Sequence, residues 1–501
     1  MSSWATPRHG VRSLDTTAKR ALAVRAGAGT RFAVMAAGVL LLATVNLTYR
    51  LNRETITEWD ESLYATSAWE MLQTGDWVST RFLGQIDYYN AKPPLNVWLI
   101  ALAFKSFGVS PASLRLASVA SAWLTVALLM FWVRRRHGDL AGLLAGLVLT
   151  TCFAFNYVHA ARTANTDALF TLLMLLVAIT LDASGARPAL RIWLGPILAL
   201  VFLLRGTAML MPLTIVVAVW WTTRRRTPGP RWPTALAVIT FLVPTGLWAV
   251  ARWRVDEWQF FDKLWSYDLM SRSLVALEGH SGGVFFYLDI LQKYQYDWLI
   301  ALVVVLALGY PSAGRFRDAL TFWRSGDRHR IVVGWWAVMT LVIPTVMMTK
   351  VSWYLHPFYP IFALIVGIAI ARAWPNRESA TARWRHVAVI GVVVFASAVA
   401  EGRLLWHSLH NRSIRGSVQE LLHVERSTLA GRTVFREKWN HADRFVLVAM
   451  VGGRTGLAHG VAEFLHESQA GDYLIESVGL EDPELVLVAS SGRHALYRRA
   501  E

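Results

Sequence analysis

TEWDESLYATSAWEMLQTGDWVSTRFLGQIDYYNAKPPL, Thr57–Leu95, is a polar, aromatic, proline-ended segment. It carries Asp60, Glu61, Asp76, Asp87 and Lys92, and strongly apolar sequence lies on either side of it. A loop of this length and charge between apolar runs is costly to hold unless it is used. The rest of the chain reads as the scaffold that positions it.

Of 501 residues, 54% are hydrophobic and only 17% charged, which is too apolar for an ordinary soluble chain and fits a polytopic α-helical membrane protein. The net charge of +16 comes largely from arginines clustered between apolar segments. That distribution is what orients membrane helices, and no nucleic-acid module accompanies it. Cys152, the sole cysteine, excludes an intrachain disulfide and a multi-cysteine metal site. Many of the twenty-four tryptophans lie near segment ends, where amphipathic rings prefer the membrane interface.

Residues 1–31 form a basic leading tail, expected in the cytoplasm, and the first span is Phe32–Tyr49. The segment 50–93 is then external. LNVWLIALAFKSFG has too short a clean apolar run to cross and reads as a half-inserted or interfacial helix. Spans over Leu114–Val133, Leu140–Tyr157, Ala168–Leu181, Ile192–Leu204, Met209–Trp221 and Ala235–Ala251 follow. After the polar segment Arg252–Asp297 come Trp298–Leu308, Ile331–Met348, Trp353–Ala371 and Val387–Ala400. The expected total is about 11–13 membrane helices. Under this alternation Arg134–Arg136, Arg224–Arg226, Arg315–Arg330 and Arg372–Arg385 share one side, and Asp60, Lys92, Asp167, Arg205, His280 and Lys350 share the other. The transmembrane domain is 32–402. Residues 403–501 read as a small extracytoplasmic α/β domain, with a helix at Val418–Leu422 and strands at Thr433–Arg436, Phe445–Met450, Leu485–Ser490 and His494–Arg498.

Each charged residue has a plainer reading beside a chemical one. Adjacent acids such as Asp60 and Glu61 are common on solvated surfaces. Lys92, Arg205 and Lys350 lie where long cations snorkel. Asp167 opens a helix and suits its dipole, and His280 is an ordinary loop histidine without a fixed second metal ligand. His159 and His356 read as structural. What favours chemistry is the order of the set.

The order Asp60-Glu61-x-x-Tyr64, Gly75-Asp76-Trp77, Lys92-Pro93-Pro94-Leu95-x-x-Trp98, Phe107-Gly108 and Arg115 resembles the aminoarabinose-transferase and protein O-mannosyltransferase group. Asp167, the loop holding His280, and the run Lys350-x-x-x-Tyr354-x-x-Pro357-x-x-Pro360 extend the resemblance over residues 58–360. It implies a C-type glycosyltransferase fold and transfer of a sugar from a polyprenyl-phosphate donor to a lipid, glycan or protein acceptor on the non-cytoplasmic face of a bacterial plasma membrane. It implies single displacement with inversion, no nucleic acid, and site residues in three roles. Asp60, Asp167 and Glu61 are the expected catalytic acids. Lys92, Arg205 and Lys350 are expected to bind the donor phosphate, and Tyr64, Tyr354 and His280 the substrate. A divalent cation is left open: many members place an acid before Lys-Pro-Pro, where this chain has Ala91, although Glu61, Asp87 and His280 remain as alternative ligands. Arg205 stands where bacterial lipid-modifying members tend to have lysine; its planar fork still suits phosphate. The rival reading is a lipid or sugar transporter, since intramembrane charges also line transport paths. The one-sided gathering of polar residues and the lack of paired interrupted segments disfavour it.

Overall fold

A computed structural model describes residues 11–224, 230–309, 327–374, 380–411 and 413–500. Parts of the expected arginine-rich loops, including Arg225, Arg226 and 315–326, lie outside the described residues. Among the described residues, eight helical segments are long and apolar enough to cross a bilayer. They are not all single legs. Pro188–Thr223 breaks at Gly206, whose φ is +53° and where a Cβ would run into the Leu264 side chain. It therefore forms two helices, α8 (Leu194–Arg205) and α9 (Leu210–Thr223). The start of α8 packs on the start of α10 (Trp232–Asp256), and the end of α9 meets Arg328, so the two legs run antiparallel. Shorter helices α5 (Asp139–Thr150) and α7 (Asp167–Ala183) supplement the eight. By length and composition the described residues hold eight candidate crossings, against the 11–13 membrane helices expected.

Helix ends follow local chemistry. In α4 (Pro111–His137) Ser110 and Ser113 make a capping box ahead of Pro111, and the helix ends in Arg134–His137 before Gly138. Cations there complement the helix dipole. By contrast α3 (Leu95–Phe107) has 13 residues, about 20 Å of helix, too short to cross. It starts behind Pro94 and ends at Gly108. Helix Tyr359–Ala373 lies tight against α5 because Gly367 faces the Ala141 and Ala145 backbone; a Cβ there would sit 2.7 Å from Ala145 N. Small residues permit such approach where apolar lipid supplies no driving force.

The bundle has two chemically distinct ends. At one, Arg136 pairs with Asp182, and Arg328 donates to the Leu181 carbonyl, Ser184 and Thr223. At the other lies the segment 57–95. Its helix α2 (Asp60–Thr74) closes at Gly75, with φ +70°. Asp76 then organises the turn, accepting from the Val78 and Ser79 amides, the Ser79 hydroxyl and Arg81. Strands β1 (Arg81–Phe82) and β2 (Gln85–Ile86) form a hairpin over Leu83-Gly84, both at positive φ. Tyr88 donates to Asp256 and Trp248 to the Val78 carbonyl, latching the segment to α10.

The long helix Ala380–His410 leads into a five-stranded sheet region. Its strands are β3 (Thr433–Arg436), β4 (Arg454–Leu457), β5 (Tyr473–Ser477), β6 (Leu485–Ser491) and β7 (His494–Arg499), in the order β4-β3-β5-β7-β6. The β3 pairings are parallel and those of β7 antiparallel. Phe445–Met450, expected as a strand, is helical, continuing from His441–Phe445 into a π-turn at Val446–Val451. A five- to six-residue apolar run has no period that separates strand from buried helix. Here it buries one face on α2 and α3, with Phe445 stacked on Phe104 at 6.2 Å. The sheet region and the segment 57–95 thus share one core. Glu58 accepts from the His441 and Ala442 amides, and Gln419 brackets the Ile56 backbone with two hydrogen bonds.

Candidate active site

A cavity of about 660 Å³ opens at the end of the bundle that holds the segment 57–95. Four sequence-distant elements bring charge to it. The first turn of α2 presents Asp60, one-third exposed, and Tyr64 follows one helical turn later. Lys92 precedes the two prolines that start α3 and donates to the Tyr64 hydroxyl at 3.0 Å. Burial opposes the charge on Lys92, but Tyr64, Asp60 and Asp268 outweigh it and its pKa is raised, so it stays a cation. Asp167 opens α7, and Arg205 ends α8 at the Gly206 break. Their ion pair is 2.8 Å long and nearly buried, with the guanidinium over the Phe170 ring.

The fourth element is the polar segment between α10 and the helix α13 (Phe286–Gly309). Asp268 sits in a π-helical stretch, Leu264–Ser271, a form that recurs at functional sites. It accepts from Thr207 at 2.7 Å and faces Arg272 at 3.5 Å. The late stretch KVSWYLHPFYP straps this segment down. Met348, Thr349 and Lys350 amides donate to the carbonyls of Ser273, Arg272 and His280. Tyr354 and Trp353 thereby reach the cavity wall, with Arg272 close to Tyr354. Leu210, Met211, Leu269, Ile343 and Met347 give the cavity an apolar part to its wall. At the rim Tyr89 donates to Glu278 at 2.9 Å. Burial and that carboxylate push its hydroxyl up to about 12, so it remains a donor.

Of the expected site residues, Asp60, Asp167, Lys92, Arg205, Tyr64, Tyr354 and His280 all line this one cavity. Two do not. Glu61 is fully buried and spent on structure: it pairs with Arg115 at 2.7 Å and accepts from Thr57 and the Ala164 amide. Neighbouring residues on a helix point about 100° apart, so adjacent acids cannot share a task. Lys350 also turns away. Its ammonium caps the preceding helix, donating to the Thr345 and Met347 carbonyls at 2.7 and 2.6 Å.

Residues at the cavity that the sequence did not single out include Asp268, Arg272 and His159. Arg272, in a long polar segment without a motif, occupies the place expected of Lys350. His159, read as structural, stands between the two acids: its Nδ1 is 3.8 Å from Asp60 and 3.9 Å from Asp167. The short spacing HAARTANTD, eight residues from His159 to Asp167, was the available signal.

The donors for a cation do not converge. Ala91 offers none, Glu61 is consumed by Arg115, Asp87 caps the Tyr89 and Asn90 amides, and among the described acids His280 pairs with Glu278 alone, at 3.8 Å. Among the described residues no three His, Cys, Asp or Glu side chains are grouped as metal ligands. The residues present do not fit the metal site that the resemblance implies.

Residues 91–248 match the family model described as dolichyl-phosphate-mannose-protein mannosyltransferase. The chain is 30% identical over 375 residues to an undecaprenyl phosphate-alpha-4-amino-4-deoxy-L-arabinose arabinosyl transferase of Pseudomonas paraeruginosa, and 29% identical over 371 residues to that of Pseudomonas aeruginosa. Each alignment takes in 72% of this chain and 64% of the relative, so the similarity spans just under two-thirds of those proteins. Among solved structures, ArnT from Cupriavidus metallidurans, crystallised with undecaprenyl phosphate, superposes with a TM-score of 0.66. That alignment covers 94% of this chain and 98% of that one at 19% identity. The chain therefore has an ArnT-like, C-type glycosyltransferase fold. Its sequence is similar to the polyprenyl-phosphate sugar transferases, as its motifs imply.

Proposed function

We propose that this protein is an integral membrane glycosyltransferase. It moves a sugar from a polyprenyl-phosphate donor to a lipid, glycan or protein acceptor by single displacement with inversion. One observation carries the reading. Three cations, the acids Asp60, Asp167 and Asp268, and an apolar wall, drawn from distant parts of the chain, meet in one cavity at one end of a polytopic bundle. A lipid-phosphate sugar presents the matching parts, namely an anionic diester, a polar ring and an isoprenoid chain. The similarity to undecaprenyl phosphate-aminoarabinose transferases makes undecaprenyl-phosphate aminoarabinose the first donor to try.

Lys92, Arg205 and Arg272 seat the donor phosphate and stabilise the charge that grows as the sugar–phosphate bond breaks. The wall around Met211 and Met347 takes the first isoprene units. Asp60 accepts the proton of the acceptor hydroxyl. Asp167 holds Arg205 in place and counters the cationic site. Tyr64, Tyr354 and His280 line the sugar and acceptor side. The arginine-rich end faces the cytoplasm under the positive-inside bias, with residues 1–31, and the cavity and residues 403–501 face outward, in a bacterial plasma membrane.

Purified protein in detergent or nanodiscs is given a panel of radiolabelled polyprenyl-phosphate sugars with lipid, glycan and peptide acceptors. Transfer of label with inverted anomeric configuration is the expected result. Label that crosses a vesicle membrane with its sugar–phosphate bond intact would replace the transferase with a transporter.

A further inference from the structure

A proton that Asp60 takes from the acceptor hydroxyl must leave again before the next turnover. The displacement forms a bond from acceptor oxygen to the anomeric carbon and breaks the bond from that carbon to phosphate oxygen. The phosphate keeps the electron pair, and one proton is left over from the acceptor hydroxyl. Resting on the transferase reading, we propose that His159, partly exposed at the cavity, is the relay that takes this proton from Asp60 and passes it to water.

The imidazole is built in rather than merely present. It lies flat on Trp353, with ring centroids 4.0 Å apart and planes within 9°. Its backbone has φ +59°, a conformation a β-substituted residue seldom takes without cause. The preceding carbonyl, that of Val158, is gripped by the buried His356 ring. Nδ1 points into the gap between the Asp60 and Asp167 carboxylates. The buried Asn165 amide reaches the same Nδ1 at 2.9 Å. Its NH₂ suits a neutral ring, and half a turn of the amide would offer Oδ1, which is buried and has no partner among the described residues, to a protonated one. One amide therefore serves both states.

The charges around the ring fit that task. Asp60 faces it from α2 and Asp167 from α7. His356 lies behind it on the Trp353 strap, and Arg205 sits beyond Asp167, already paired with it. Two carboxylates thus receive an imidazolium, and one of them is the proton's source. Closing the gap from Asp60 to hydrogen-bond length takes a movement of about 1 Å by a partly exposed side chain.

Three variants test the relay against a purely structural ring. His159→Phe keeps the stack on Trp353 and removes the nitrogens. Its kcat is expected to fall about 100-fold with the donor KM nearly unchanged. His159→Asn tolerates the positive φ and is expected to lose kcat to a similar degree. His159→Gly relaxes the backbone and opens space, and added imidazole is expected to restore part of its rate. A His159→Phe protein as fast as wild type, or a His159→Gly protein that folds but does not respond to imidazole, overturns the relay while leaving the transferase reading standing. A wild-type protein that transfers no sugar from any donor in the panel removes the reading itself, and the relay with it.

Discussion

Helix α7 carries the same trio at both of its ends. At one end Asp167 meets Arg205 and His159; at the other, fifteen residues or about 22 Å along, Asp182 meets Arg136 and His329. The parts are alike and their states differ. Asp182 is saturated: Trp132 donates to it at 2.8 Å, Arg136 through two nitrogens, and His329 closes in at 3.2 Å. Asp167 has one strong partner, a histidine held just out of hydrogen-bond range, and an open cavity. A filled cluster fixes structure, and an unfilled one has something left to bind. Residue type does not tell these apart, whereas hydrogen-bond accounting does.

The largest expected effect is at the open end. Asp60→Asn removes the proton acceptor without changing shape, and transfer should fall about 1000-fold while membrane levels and melting stay as in wild type. Full activity in that variant would hand the base to another group. Asp167→Asn against Asp182→Asn then divides the trios directly. The first should cost about 100-fold in kcat/KM, because Arg205 loses its counter-charge beside the donor phosphate. The second should keep transfer within about threefold of wild type at a permissive temperature and lose about 2–3 kcal/mol of stability, because buried donors are left facing an amide. If Asp182→Asn abolishes transfer in a folded protein, the two ends are coupled and the division fails.

A second pair sharpens the account of the cations. Arg272→Ala should raise the donor KM about tenfold, as expected for loss of one phosphate contact. Lys350→Ala should change it little and instead loosen the end of helix Arg328–Val346, seen as a lower melting temperature. The reverse result would mean that Lys350 leaves its helix cap when donor binds.

These pairs also measure how much the sequence disclosed. Alternation of spans was enough to place Asp60, Lys92, Asp167, Arg205 and His280 on one side, because it fixes the side on which each loop falls. Alternation says nothing of rotamers. Glu61 and Lys350 are on the correct side with their charges pointed into the protein, one toward Arg115 and the other toward its own helix end. Arg272 was hidden because it is defined by pairing between two loops, Arg272–His280 and Met348–Lys350, that lie about seventy residues apart. His159 was hidden because a lone histidine on an apolar background usually packs. Only the backbone turn at φ +59° and the Trp353 face give it a direction.

The smallest expected effect concerns Asp87, which falls between the two trios. Its hydrogen bonds are made, to the Tyr89 and Asn90 amides, but no cation pairs with it among the described residues, and burial raises its pKa despite those amides and the more distant Lys92 and Arg252. A carboxylate whose folded pKa is raised binds its proton more tightly folded than unfolded. Its favourable contribution is complete at low pH and fades as pH rises through the folded value. At pH 7 the charge is then a cost. Asp87→Asn retains the acceptor oxygen for both amides and removes that charge. The variant should be at least as stable as wild type at neutral pH, with the advantage shrinking toward about pH 4 as the wild-type carboxyl protonates. Paired melts at the two pH values read this directly. A variant less stable than wild type at pH 7 would show that the field of Lys92 and Arg252 outweighs burial, and Asp87 would then join Asp167 as an acid kept for its charge.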